Sequence, residues 1–272
     1  MRSCRIAKIM PHETIPTLSA FLGRLKASPL EIDYGQGSAR RRPKREAGRS
    51  RAGRLVFRVK TSEPSVHGRR IHFGIDYTID ELLPRADLES NIFRYTRRDR
   101  HSPAWIDPRS GLVAAADIPD SSVWRGTLAA LASTVHPGGA ELRPWIEIPI
   151  GFARGLAAGE FIPEGLGRLT TLAMSDAMLR GHRVDRLSIA AKDGLGKIED
   201  LVGSDSSARI SSVTTMVDVA GEVHRPMRIG ANGTLVVFHS PTPLDVVERL
   251  VDLLIPHIGF RQAAPAAPKL AD

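Results

Sequence analysis

Ten cations fall between residues 40 and 60: Arg40, Arg41, Arg42, Lys44, Arg45, Arg49, Arg51, Arg54, Arg58 and Lys60. Glu46 is the only anion among them, so the stretch carries +9, against +8 for the whole chain. The remainder is close to neutral. Arginine offers a planar fork of donors that grips phosphate bidentately. Cations laid along a nucleic-acid backbone also displace condensed counterions, which gives affinity without reading bases. The competing reading is a solvated loop with no partner. A second cluster, Arg94, Arg97, Arg98 and Arg100, surrounds the single anion Asp99 beside Tyr95. It reads as a secondary phosphate contact, or as the solvated rim of a strand end.

Other chemistry finds less support. The nine histidines form no HxH, HExxH or HxxE pattern, so no metal site is expected. Asp76, Asp80 and Glu81 follow an expected strand, where carboxylates can hold Mg²⁺ for phosphodiester hydrolysis. The acidic-x-Lys companion is missing: Glu147-Ile148-Pro149 has no lysine, and Lys192 follows Ala191. Asp80-Glu81 reads instead as an acidic pair at a helix N-terminus, favoured by the helix dipole. The run GLGKIED at 194–200 lacks the spacing and the Lys-Ser/Thr pair of a phosphate loop. Gly151, Gly155, Gly159, Gly165 and Gly167 make no dinucleotide fingerprint, and no Gly-x-Ser-x-Gly elbow is present. No cofactor is implied, and the chain is expected not to be an enzyme.

Composition sets the frame. With 272 residues and 42% hydrophobic content the chain can bury a core. Aromatics are only 5%, which favours phosphate contact over base stacking. Arginines outnumber lysines 31 to 7. A GC-rich coding bias accounts for the choice of arginine but not for its clustering. The single cysteine, Cys4, permits no intrachain disulfide and no cysteine-built zinc site. It suits a reducing cytoplasm. The opening MRSCRIAKIMPHET has no apolar signal core, and no apolar run reaches the roughly 18 residues of a membrane span. A membrane surface is a weaker anionic partner, because no apolar anchor or lipidation motif adjoins the basic stretch.

Hydrophobic spacing supplies the elements that must position these groups. Residues 3–10 read as a strand with Ile6 and Ile9 in the core. Leu18, Phe21, Leu22 and Leu25 mark an amphipathic helix. Residues 35–53 are rich in Gly, Ser, Arg and Pro and read as an inserted loop. Strands are expected at 55–60 and 70–76, paired antiparallel, then a helical turn at 79–88 and a strand at 91–95. A buried strand at 111–116 precedes a helix at 122–135 capped by Asp120 or Ser121. Residues 142–150 alternate like a strand, but Pro144 and Pro149 push it to an edge or bulge. The Gly-rich 151–167 resists assignment and suits a domain junction. Residues 169–179 fit helix or strand equally. A strand at 186–191 and a short helix at 195–202 follow. Residues 210–238 give three strands with tight turns, a meander. The last helix follows Pro243, with Val247, Leu250, Val251 and Leu254 on one face and Glu248, Arg249 and Asp252 opposite.

The mixture of helices and antiparallel pairs indicates an α+β fold with mainly antiparallel sheets, ending in a β-meander and a helix. Two domains are expected: an α+β domain over 1–150 carrying the disordered basic arm at 35–53, and a second over 151–262. Residues 263–272 form a disordered tail.

Three stretches resemble the RexA-type phage-exclusion proteins: RIAKIMPHETIPTLSAFLGRL at the start, GLVAAADIPDSSVWRGTLAAL with LRPWIEIPI in the middle, and the hairpin DVAGEVHRPMRIGANGTL. The resemblance covers about a quarter of the chain. The basic stretch is no part of it, and it carries over no functional residue. It implies a cytoplasmic, non-enzymatic, sequence-tolerant DNA binder that oligomerises and acts in phage defence.

The expected function is therefore nucleic-acid binding, to duplex DNA first, through the cations of 40–60 with Arg94, Arg97, Arg98 and Arg100 secondary. Two alternatives stay open. One is a homo-oligomer or larger assembly in which the arm meets an acidic protein or RNA. The other is a metal-dependent nuclease built on Asp76 and Asp80.

Overall fold

The computed structural model describes residues 2–12, 20, 23–24, 30–36, 50–59, 70–82, 95–118, 121–179, 182–190, 209–219, 222–238 and 244–262. The chain divides into two compact units, one of residues 8–142 and one of residues 1–7 with 143–272. This differs from a simple cut at 150. The first strand, β1 (Arg2–Pro11), gives its opening residues to the later unit and its closing residues to the earlier one. Within β1, Ile6 and Ile9 are fully buried, as their spacing requires.

In the 8–142 unit the strands are β2 (Leu30–Gln36), β3 (Ser50–Val59), β4 (Ile71–Leu82), β5 (Tyr95–Ile106) and β6 (Leu112–Ala116). They lie in the order β6-β5-β4-β3-β2, every adjacent pair antiparallel. Alternation explains β4: Ile71, Phe73, Ile75 and Tyr77 are buried while His72 and Asp76 are half-buried. Across the ladder Leu55, Phe57 and Val59 stand opposite Tyr77, Ile75 and Phe73, so β3 is held in the register its apolar residues demand. At the far end of β5 the alternation disappears. Ala104, Trp105 and Ile106 are all buried, as are all five residues of β6. Arg70 covers Trp105, its guanidinium carbon 4.0 Å from the ring centroid.

Helix α1 (Ser121–Val135) buries Val123, Trp124, Leu128, Leu131 and Val135 and exposes Arg125, Ala129 and Ser133, a helical period. It packs against β2. Arg24 Nη1 donates to the carbonyl of Val135 at 2.8 Å, satisfying one of the acceptors that a helix C-terminus leaves open. Ala20, Gly23 and Arg24 are helical; the rest of the expected N-terminal helix lies outside the described residues. So do the helix expected at 195–202 and the 263–272 tail. Strand β7 (Ala140–Arg143) follows α1 and pairs with β1.

Three expectations here are corrected. Residues 79–82 are not a helical turn but the last residues of β4, because β5 starts at Tyr95 and supplies ladder partners as far as Leu82. The sequence TRRDRHSP likewise lies inside β5 and not beyond a strand end. The inserted loop is also shorter than 35–53: Gly35 and Gln36 belong to β2 and residues 50–53 to β3.

In the other unit the sheet order is β10-β9-β11-β12-β13-β1, again antiparallel. Its strands are β9 (Leu166–Leu179), β10 (His182–Ala190), β11 (Arg209–Val219), β12 (Glu222–Gly230) and β13 (Thr234–Val237). The last three form the expected meander. The undecided 169–179 is strand, paired along both edges by β10 and β11. Gly233 turns the β12–β13 hairpin at φ 77°; a Cβ there would meet the Pro144 and Ile6 carbonyl oxygens at 2.5 and 2.6 Å, so only glycine fits.

Pro144 interrupts the strand expected at 142–150, leaving β7 on one side and β8 (Trp145–Glu147) on the other. β8 pairs with β14 (Gly259–Arg261). The unassigned 151–167 holds α2 (Ile150–Ala158) and a 3₁₀ turn at Ile162–Glu164. Its helical signal, the buried Phe152, Ala153 and Leu156, is diluted by glycines with other duties. Gly155 lets the Phe161 ring approach, and Gly159 closes the helix in the left-handed region. Helix α3 (Leu244–Leu254) buries Val246, Val247, Leu250, Val251 and Leu254. Glu248, expected on the polar face, is also buried.

The chain is thus an α+β protein dominated by antiparallel sheet. No helix among the described residues is long and apolar enough to cross a membrane.

Candidate nucleic-acid interface

Arg40, Arg41, Arg42, Lys44, Arg45, Arg49, Lys60 and Arg94 lie outside the described residues. The strands nevertheless locate the most basic run by covalent connection. Residues 37–49 join β2 to β3, and the hairpin they close is paired down to Gln36 opposite Ser50. Because β2 is the last strand of that sheet order among the described residues, the run joins the outermost described strand to its neighbour. It holds Arg40, Arg41, Arg42, Lys44, Arg45 and Arg49 against Glu46 alone.

The remaining cations stand on strands. Arg51, Arg54 and Arg58 are in β3; Arg97, Arg98 and Arg100 are in β5, where Arg100 is exposed. Register changes how these should be counted. Arg54 stands opposite Glu31 of β2, and Arg97 stands opposite Asp80 of β4. Opposite charges facing across a ladder favour the pairing of the strands themselves. The acidic positions opposite these arginines are remote in sequence, so the clusters look more one-signed along the chain than in the strand register. Arg58 differs, with Gly74 as its ladder partner. Arg98 stands opposite Ile79 and Arg100 opposite Tyr77.

The carboxylates considered for metal chemistry all lie on β4, but Asp80 and Glu81 belong to its strand rather than to a helix start. Among the described residues no group of three or more His, Cys, Asp or Glu side chains is placed to hold a metal ion. Asp76 has a different neighbour. His101, its ladder partner on β5, brings Nδ1 to 2.6 Å from Asp76 Oδ1. A carboxylate oxygen can only accept, so the ring nitrogen carries the proton and donates. Gly74 makes room for this arrangement: a Cβ there would sit 2.6 Å from His101 Cε1. The imidazole therefore lies down over the glycine, with its side chain 53% exposed.

Sequence spacing did not single out this pair, because residues 25 positions apart meet only through strand register. The available signal was a glycine inside the strand run Arg70-Ile71-His72-Phe73-Gly74-Ile75-Asp76, which marks a close approach from a neighbouring strand.

The other unit has an aromatic cluster. His257 stacks on Phe152, with centroids 5.4 Å apart and planes 5° apart, and meets Phe161 at 4.6 Å. Its Nε2 lies 3.5 Å from Glu164. Phe152 is buried, and the contacts tie α2 to the turns after it and after α3, a packing role.

No protein-family model and no curated protein matches the chain.

Proposed function

We propose that the protein binds nucleic acid, duplex DNA first, through phosphate contacts made by residues 37–49 together with cations of β3 and β5. The observation that carries this reading is the position of the basic run. Six cations and one anion form the connection between the outermost described strand and its neighbour, while nearby strand arginines such as Arg54 and Arg97 have acidic ladder partners. Excess positive charge is thereby concentrated in one connecting segment, whose binding to a phosphate backbone would be driven by counterion release. Acting through phosphates, it would tolerate any base sequence. The RexA-type resemblance extends the proposal to a cytoplasmic role in phage defence.

The test is equilibrium binding to duplex DNA, single-stranded DNA and RNA over a salt series, with the integrity of each substrate followed in parallel. Neutralising about six phosphates of a duplex gives a log–log slope near −5. Steep dependence with little sequence preference is expected. Absence of binding at low salt refutes the reading and turns attention to an acidic protein partner.

A further inference from the structure

We propose that one face of the β10-β9-β11-β12 sheet is a second phosphate-contact surface, with Arg186, Arg209 and Arg228 as its contact residues. The inference rests on the nucleic-acid reading above. It adds a surface on the unit of residues 1–7 and 143–272, to which the basic run does not belong.

Register brings the three arginines to one face, although twenty-three and nineteen positions separate them in sequence. Arg186 of β10 and Arg209 of β11 both stand opposite Ser175 of β9. They therefore flank one residue, about 10 Å apart across two strand spacings. Arg228 of β12 stands opposite Thr214 of β11, which stands opposite Thr171 of β9. Ser175 and Thr171 share a parity and are four residues apart, so Arg228 lies on the same face about 13 Å further along the strands. A register shift in β11 between Ile210 and Ser212 keeps Arg209 on that face with Ser212, which stands opposite Ala173. Burial agrees. Ile210 and Val213 are buried, as are their partners Met174 and Leu172, and these belong to the opposite face.

The charges on this face are of one sign. Arg186, Arg209 and Arg228 are all exposed. Among the described residues no carboxylate forms an ion pair with any of them. Arg228 has its guanidinium carbon 6.0 Å from the ring centroid of the exposed Phe238. A fourth arginine, Arg5, stands opposite Thr234 on the same face, but it is buried and donates from Nη1 to Thr234 Oγ1 at 2.8 Å. It belongs to the sheet's own structure. The nearest acids are accounted for. Asp185 adjoins Arg186 but alternates to the opposite face with Leu187. Asp176, beside Ser175, and Asp218, four residues beyond Thr214, each have an interaction of their own. In β3 and β5, by contrast, Arg54 and Arg97 stand opposite acidic positions.

Between the arginines the residues are small or hydroxylic: Ala173, Ser175, Ser212 and Thr214. Guanidinium groups thus stand above a low surface that can itself donate hydrogen bonds to phosphate oxygens. Arginine with serine and threonine is the donor set that grips a nucleic-acid backbone without reading bases.

The experiment measures affinity for a short fluorescent DNA duplex over a salt series. The triple variant Arg186→Gln, Arg209→Gln, Arg228→Gln should make the log–log slope shallower by about 2–3 units if each arginine meets one phosphate. At low salt it should bind roughly three- to hundredfold more weakly, the range of three exposed ion pairs. The corresponding triple Arg→Lys variant keeps the charge and should hold the slope within about one unit of wild type. A control removes the same charge elsewhere, at the exposed Arg109, Arg125 and Arg249, and should change the slope by less than about one unit. If wild type binds no duplex at low salt, the functional reading itself fails and this surface with it. If wild type binds, and substitution of Arg40, Arg41, Arg42, Lys44 and Arg45 flattens the slope while the Arg186, Arg209, Arg228 variant binds as wild type, this inference is overturned and the functional reading stands. Equal losses in that variant and in the control also overturn it, because net charge and not this face would then be responsible.

Discussion

Arg97 and Asp80 stand directly opposite each other across the β4–β5 ladder, although seventeen positions separate them in the sequence. Two features that looked independent along the chain, an arginine cluster and an acidic pair, are two sides of one strand pairing. The register distinguishes a cation set opposite an acidic position from the run of cations between β2 and β3.

That separation predicts unequal effects on DNA binding. Replacing Arg40, Arg41, Arg42, Lys44 and Arg45 together with Gln should weaken binding uniformly across sequences. The log–log salt slope should become shallower by up to roughly 4 units if each cation meets one phosphate. Arg97→Gln should shift the slope by less than one unit. Equal losses per residue in the two variants would contradict the division.

The same relationship predicts a stability effect at Asp80. Asp80→Lys places like charges opposite one another and should cost about 0.5–1 kcal/mol, read as a lower urea midpoint. Adding Arg97→Glu to it should recover most of the loss. A double variant no better than the single would show that the pair is not coupled.

Gly111 should tolerate no side chain. It sits at φ 69°, its carbonyl accepts from Ile9 N–H at 2.8 Å, and a Cβ would lie 1.9 Å from the Ile9 carbonyl oxygen. Gly111→Ala should destabilise by more than about 2 kcal/mol, beyond the 1–2 kcal/mol of a left-handed L-residue alone. Thermal unfolding that stays within a degree of wild type would contradict the close approach.

The aromatic cluster predicts a packing effect separate from binding. Phe152→Ala removes a ring that is 5% exposed and stacked on His257. It should cost about 3–5 kcal/mol while a folded sample keeps its DNA affinity. A variant of wild-type stability would mean that the site refills by local collapse.

Several features were legible in the residues alone. Ile6 and Ile9 alternate through β1, and the meander over 210–238 has β-rich runs separated by Ala-Gly and Asn-Gly turns. In both, local period and turn chemistry agree with the tertiary structure. Other stretches were not legible because local signals conflicted. In 151–167 the glycines that let Phe161 approach and close α2 hide the helix they serve. At 79–82 an Ile-Asp-Glu-Leu pattern suited to a helix start is held extended by β5, because ladder pairing outweighs a weak local preference.

The sequence by itself determined that positive charge is concentrated in one segment, that the remainder is nearly neutral with enough apolar residues for a core, and that antiparallel pairing dominates its later half. These depend on composition and on neighbours a few residues apart. Only the tertiary structure decided that Arg54 faces Glu31, that Arg97 faces Asp80, and that His101 lies over Gly74 in contact with Asp76. Each is a register relationship. Register is set by matching apolar faces along entire strands, and a slip of one residue would exchange every facing pair.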